Sequence, residues 1–211
     1  MEILSRKVRI PKLFENSESA RTSVNLAGLR YQSELISAEL ETELITRIKD
    51  LPFREFEFHG YLGKRRIVSY GWRYDYSGRG TLRPADDIPP FLLDVRQMAA
   101  RFGNLDARSL SQVLVTEYRA GAGIGWHRDK AVFGNIIGIS LLAPCVLRFR
   151  RKIKASPKGH RARTVWERVN LPAERRSAYL LSGPVRHEWE HSILAVDELR
   201  YSITFRTLRA S

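Results

Sequence analysis

The sequence predicts an α+β fold in which helices come first and a β-sandwich or jelly roll follows. Two amphipathic helical stretches occupy the first half. After residue 110 come six short segments rich in β-branched and aromatic residues, separated by Gly, Pro or polar turns. A length of 211 residues, 43% hydrophobic and 28% charged, suits one well-buried domain and is short for two.

Residues 1–25 are mixed and polar and predict a partly ordered N-terminal arm, leaving 26–211 as the domain: 26–110 helices and a lid, 111–211 the jelly-roll core. "SAELETELITRIKDLP" predicts a helix capped by Ser37, with Leu40, Leu44, Ile45, Ile48 and Leu51 on one stripe and Pro52 as the stop. "PPFLLDVRQMAARFGN" predicts a second, with Phe91, Leu92, Val95, Met98 and Phe102 inward and Gly103 past its end. Between them "KRRIVSYGWRYDYSGRG" is aromatic, basic and glycine-punctuated, as short strands or a lid-like loop would be. The six strand candidates are "SQVLVTEYR", "NIIGISLLA", "CVLRFRR", "TVWERVNL", "SAYLLSG" and "RYSITFRTL".

The formal net charge of +13 favours a polyanionic partner, because each neutralised phosphate releases a condensed counterion. No apolar run approaches the length of a membrane span, and the N-terminus lacks the apolar core of a secretory signal. Cys145, the single cysteine, has no internal disulfide partner, which suits a reducing cytoplasm, and its apolar surroundings predict a buried, inert thiol. The expectation is a cytoplasmic monomer.

Chemistry concentrates in three places. His187-Glu188-Trp189-Glu190-His191 matches HExxH, the zinc signature of many metalloproteases. That reading needs a helix, where residues four apart have Cβ atoms about 5–6 Å apart. On a strand they lie about 13 Å apart, too far to share one ion. Gly183-Pro184 is a helix opening, yet strand-like segments flank the stretch on both sides, so both conformations stay open.

"GAGIGWHRDK" carries His127 and Asp129 as an H-x-D pair. Alternate residues of a strand share a face, so the two are placed to hold one ion side by side. A third ligand from a distant strand would complete a two-histidine, one-carboxylate facial set, which leaves coordination positions open in non-haem Fe(II) oxygenases. "ELRYSITFRTL" puts Arg200 and Arg206 six apart on one strand face, and a buried guanidinium fork matches a carboxylate.

"TEYRAGAGIGWHRDK", "LLSGPVRHEWEHSI" and "RYSITFR", in that order, resemble the AlkB-like family of iron(II)/2-oxoglutarate-dependent dioxygenases. The similarity runs from about "NLAGLRYQSELIS" to "RTLRAS" and is densest after residue 110. The resemblance implies a double-stranded β-helix core with helices packed on it. It places His127, Asp129 and His191 at the iron, makes His187 a bystander, and fits Arg186 to the arginine that precedes the distal histidine. It gives Arg200 to the distal carboxylate of 2-oxoglutarate, Arg206 to its keto-acid end, and Tyr118 to a further co-substrate contact.

By the same resemblance the cofactors are Fe(II), 2-oxoglutarate as co-substrate and O2. The implied reaction is demethylation of 1-methyladenine- or 3-methylcytosine-type bases in DNA or RNA, releasing formaldehyde, succinate and CO2. Thr116 and Ser202 replace co-substrate asparagines of the best-known members. Ala131 replaces an acid that contacts the base, and a basic residue near Arg65 stands about where a base-stacking tryptophan is expected. These departures keep a tRNA wobble modification or a protein side chain open as the target.

Two regions offer substrate contacts. Trp72, Tyr74 and Tyr76 stand beside Arg73 and Arg79, the aromatic-plus-basic mixture of strand-binding surfaces. "RFRRKIKASPKGHRAR", which includes Lys154, has no acid and resembles a hairpin loop tracking phosphates.

Overall fold

The computed structural model describes residues 25–58, 61–75, 80–153 and 164–209. The predicted arm therefore lies, but for Asn25, outside the described residues. The first half holds β1 (Leu29–Gln32), α1 (Ala38–Ile48), β2 (Arg54–Phe58), β3 (Tyr61–Tyr70), β4 (Trp72–Tyr74), β5 (Leu82–Pro84) and α2 (Leu93–Gly103). The second half holds β6 (Gln112–Tyr118), β7 (Ile124–His127), β8 (Phe133–Leu141), β9 (Cys145–Ile153) and β10 (Val165–Ala173). It ends with β11 (Ala178–Leu181), the short helix α3 (Gly183–His187), β12 (Glu190–Ile193) and β13 (Arg200–Leu208).

Strands β6 to β13, joined by β1, β2 and β3, form two facing antiparallel sheets. The larger runs β1-β11-β8-β13-β6-β3-β2 and the smaller β10-β9-β12-β7. The chain crosses between sheets at nearly every strand, which makes this a double-stranded β-helix, a jelly roll. The six predicted strands are all present, and β13 spans the predicted "RYSITFRTL". Sequence reading did not count β7 and β12, each four residues long and interrupted by Gly or polar side chains. The predicted lid region is partly structural: β3 joins the large sheet beside β6, while β4 and β5 pair as a separate ribbon.

The large sheet is buried on both faces. Towards α1 and α2, Val113, Val115, Ile139, Ile203 and Phe205 pack against Leu44, Ile48, Val95 and Phe102. Between the sheets, Tyr118, Ile136 and Leu181 pack with Leu147, Phe149 and Ile193. Full burial of such side chains contributes about 1.5–3 kcal/mol each. On β13 the two faces differ in kind. Tyr201, Ile203 and Phe205 point to the helices, whereas Arg200, Ser202, Thr204 and Arg206 alternate with them and point between the sheets, all buried. A buried polar strand face costs stability unless partners satisfy it, and it marks the site.

Ser37 caps α1, its hydroxyl accepting from the Leu40 N–H at 3.2 Å. Helix α1 ends at Ile48, four residues before Pro52. Glu41, on the buried side of α1, accepts from the Leu142 N–H at 2.8 Å and from Arg175 at 2.6 Å. It thereby satisfies the turn between β8 and β9, where Leu142 adopts φ 73°. Helix α2 includes Gly103, predicted to lie beyond its end; the left-handed cap is Asn104, φ 54°, a residue whose short polar side chain tolerates that region.

Candidate metal and co-substrate site

The three ligand candidates converge on the inner side of the small sheet. Strand β12 pairs with β7 so that His191 lies directly opposite His127, their ring centres 4.3 Å apart. Asp129 is not on the strand with His127 as expected from alternation: β7 ends at His127, and Asp129 sits two residues on, in the turn to β8. Arg186 on α3 shapes that turn. Its buried guanidinium donates to four backbone carbonyls, Asp129 at 3.3 Å, Lys130 at 2.7 Å, Phe133 at 2.8 Å and Gly134 at 3.1 Å. The result brings ligand atoms of His127, Asp129 and His191 within 4.8 Å of one another, the only such cluster among the described residues.

Each ligand is held by a neighbour. His127 Nδ1 lies 2.9 Å from the Gly125 carbonyl; a carbonyl only accepts, so Nδ1 carries the proton and Nε2 is free for a metal. Burial, reinforced by the adjacent His191, pushes the His127 pKa down to about 4, so its ring is neutral at pH 7. Asp129 Oδ1 accepts from Arg206 Nη2 at 3.0 Å, and its Oδ2 lies 3.3 Å from His191 Nε2. Burial alone would raise the Asp129 pKa. The Arg206 guanidinium and His191 outweigh it and hold the carboxyl well below the usual range. A Cβ at Gly123 would lie 2.7 Å from the Ile193 carbonyl, so only glycine lets this loop approach β12 so closely.

On β13, Arg206 also donates from Nη1 to Gln112 at 3.0 Å. Arg200 is fully buried and opposite Tyr118, its guanidinium carbon 4.8 Å from that ring's centre. Its Nε donates to Ser140 at 3.2 Å, but both terminal amino groups lack partners and no carboxylate pairs with it among the described residues. A buried cation without a counter-ion is unfavourable by several kcal/mol, of order. It fits an anionic ligand group, as two imidazoles and a carboxylate fit Fe(II).

A cavity of about 520 Å³ opens over these groups. His127, Asp129, His191 and Arg206 line it, with Thr116, Tyr118 and Tyr179. Arg200 lies one layer back, against the Tyr118 ring. Of the predicted substrate residues, Tyr74 and Arg65 line the cavity and Trp72 does not. Tyr76, Arg79 and Lys154 lie outside the described residues. Sequence reading missed Gln112, Ser140 and Tyr179. The signal for the first two was a polar residue within an apolar strand.

HExxH does not assemble. Helix α3 stops at His187 and His191 belongs to β12. His187 is exposed, 3.1 Å from Arg209, and Glu188 pairs with Arg151 at 2.7 Å. No helix among the described residues is long and apolar enough to cross a membrane.

Comparison with known proteins agrees with this geometry. The family model described as the 2OG-Fe(II) oxygenase superfamily matches residues 21–206. An "Alkylated DNA repair protein ALKBH8 homolog" of Arabidopsis thaliana is 28% identical over 206 residues, covering 89% of this chain and 57% of that protein. The chain thus spans little more than half of that relative. An uncharacterized protein of Acanthamoeba polyphaga mimivirus is 26% identical, over 87% of this chain and 86% of the other. Among solved structures, OsALKBH1 matches with a TM-score of 0.56 at 18% identity, covering 85% of this chain and 98% of that one. A Pseudomonas putida prolyl-4-hydroxylase matches at 0.52 and 14%, covering 87% and 94%. At those identities the structures show the shared fold. The chain belongs to the 2OG-Fe(II) oxygenase superfamily, whose members use Fe(II), 2-oxoglutarate and O2.

Proposed function

We propose that this dioxygenase removes alkyl groups oxidatively from nucleobases in DNA or RNA. The observation that carries the reading is the cavity wall. Tyr74 and Phe56 offer rings, and Arg65, Arg73 and Lys130 line the same space as the His127–Asp129–His191 cluster. An extruded base is held by stacking and by hydrogen bonds to its edge, and its flanking phosphates by cations. The net charge of +13 and the alkylated-DNA-repair name of the Arabidopsis relative support the same class of target.

In this reading His127, Asp129 and His191 hold the iron, which with 2-oxoglutarate and O2 supplies the oxidising chemistry. Arg200 takes the far carboxylate of 2-oxoglutarate with Tyr118 beside it. Arg206 orients Asp129 and stands by the keto-acid end. The buried walls of the cavity limit water around the target carbon. Hydroxylation of an N-methyl group then leads to loss of formaldehyde, with succinate and CO2 as co-products. A second reading, the same oxygenation of a different modified base such as one at a tRNA wobble position, is favoured by Ala131 and Arg65, which depart from the base-contacting residues of the best-known members.

The test is mass spectrometry of oligonucleotides carrying 1-methyladenine or 3-methylcytosine, incubated with protein, Fe(II), ascorbate and 2-oxoglutarate. Loss of one methyl mass that requires 2-oxoglutarate is the expected result. Succinate without methyl loss on any nucleic acid substrate would overturn the demethylase reading while leaving the oxygenase in place.

A further inference from the structure

The outer face of the small sheet, turned away from the iron ligands, carries a cationic and aromatic ladder that the catalytic site does not use. Cross-strand register places Arg148, Arg150 and Lys152 of β9 opposite Ser192 and Glu190 on one side and opposite Asn170, Arg168 and Trp166 on the other. The alternating residues, Leu147 and Phe149 of β9 with His191 of β12, face the sandwich. Guanidinium and ammonium groups interleave with two indoles. Arg148 and Arg150 lie 4.9 and 4.4 Å from the Trp126 ring centre, and Arg150 and Lys152 lie 4.2 and 5.6 Å from that of Trp166. Among the described residues of β9, β10 and β12, this face has four cations, Arg148, Arg150, Lys152 and Arg168, against one acid, Glu190, 2.6 Å from Arg150.

Stacking on an indole engages the flat face of a guanidinium and leaves its in-plane N–H groups for an anion. The rings therefore fix the cations in place rather than neutralise them. Arg148, Arg150 and Lys152 succeed one another at about 6.6–6.8 Å along the strand, two residues apart. The ladder is continuous with the catalytic cavity, because Trp126 borders that cavity and precedes His127.

We propose that this face is a phosphate-backbone track, running from Trp126 at the cavity mouth across β9 to Arg168, for the strand that carries the target base. The inference rests on the reading of nucleic acid as the substrate. It adds an anchoring surface on the opposite side of the sheet from the chemistry, so the strand bends round the β7 edge to deliver its base.

The test is fluorescence anisotropy of an unmodified, labelled single-stranded 15-mer, with RNA and DNA forms compared, titrated with full-length protein across a salt series. The charge-reversed variant is Lys152→Glu/Arg168→Glu, and Lys49→Glu/Arg101→Glu on the helical side is the matched control. Succinate formed from 2-oxoglutarate without nucleic acid reports on folding and chemistry and is expected unchanged. The Lys152/Arg168 variant is expected to bind about tenfold more weakly at low salt. Its log–log salt slope should be shallower by about 1.4, the value for two lost single-strand phosphate contacts. Wild-type binding that both double variants weaken equally would overturn the track and leave the substrate reading standing. No wild-type binding, with succinate still formed, would overturn both. Tighter binding of a polyglutamate peptide than of the oligonucleotide, lost in the Lys152/Arg168 variant, would give the face to an acidic protein and overturn the proposal.

Discussion

Arg206 holds Asp129 in place: its Nη2 donates to Oδ1 at 3.0 Å while Gln112 braces its other amino group. One carboxylate oxygen is thus occupied by the protein and the other, Oδ2, faces His191. Removing such an outer partner typically costs 10–100-fold in metal affinity or activity. Arg206→Gln is accordingly expected to weaken Mn(II) binding, measured by calorimetry without co-substrate, by about that factor. An unchanged affinity would show that Asp129 needs no such brace.

Arg200 is a buried cation with no carboxylate partner among the described residues. Arg200→Met removes that charge and keeps much of the volume, so the variant should melt about 2–4 °C higher than wild type, equivalent to about 1 kcal/mol at this size. It should also lose the thermal stabilisation that 2-oxoglutarate with Mn(II) gives wild type. A lower melting temperature with the co-substrate effect intact would contradict the role given to Arg200.

His187 and His191 are separated by the end of α3. His187→Ala, at an exposed position, should change stability by less than about 0.5 kcal/mol and leave succinate formation intact. His191→Ala should abolish it. Equal loss in both variants would revive a shared metal.

Arg186 binds four carbonyls of the turn that carries Asp129. Arg186→Leu would leave buried acceptors unsatisfied, and hydrogen bonds to charged groups contribute about 1.5–3 kcal/mol each. Urea unfolding should show a loss of about 3 kcal/mol or more, with metal affinity falling too. Arg186→Lys should recover part of the stability and little of the affinity, since an ammonium lacks the planar fork.

Glu41 gives a pH signature. Burial raises its pKa, but Arg175 and the Leu142 N–H outweigh burial and leave it below its ordinary value of 4.5. A depressed carboxyl contributes stability that is present above the unfolded-state value and lost as pH falls through the folded-state one. Glu41→Gln should therefore lower stability at pH 7 and make it fall less steeply below about pH 4.5. Parallel pH curves for the two proteins would rule out this contribution.

Periodicity made α1 legible from Ser37 onward, and β-branched, aromatic or apolar runs made β6, β8, β9, β10, β11 and β13 legible. They left β7 and β12 uncounted, because IGWH and EHSI lack the unbroken apolar run that marks the equally short β11. Those two strands hold two of the three metal-ligand candidates. The sequence by itself determined the fold class, the basic character and the residues able to form the site, since local propensity and residue chemistry act over a few neighbours. Only the tertiary structure decided whether His187 or His127 stands beside His191, because that depends on α3 ending at His187 and on β12 pairing with β7. Tertiary structure likewise gave Arg200 no counter-ion among the described residues and put the Trp126–Trp166 ladder on the far side of the sheet. Such pairings join residues distant in sequence, and their geometry is set by strand register and burial rather than by any local pattern.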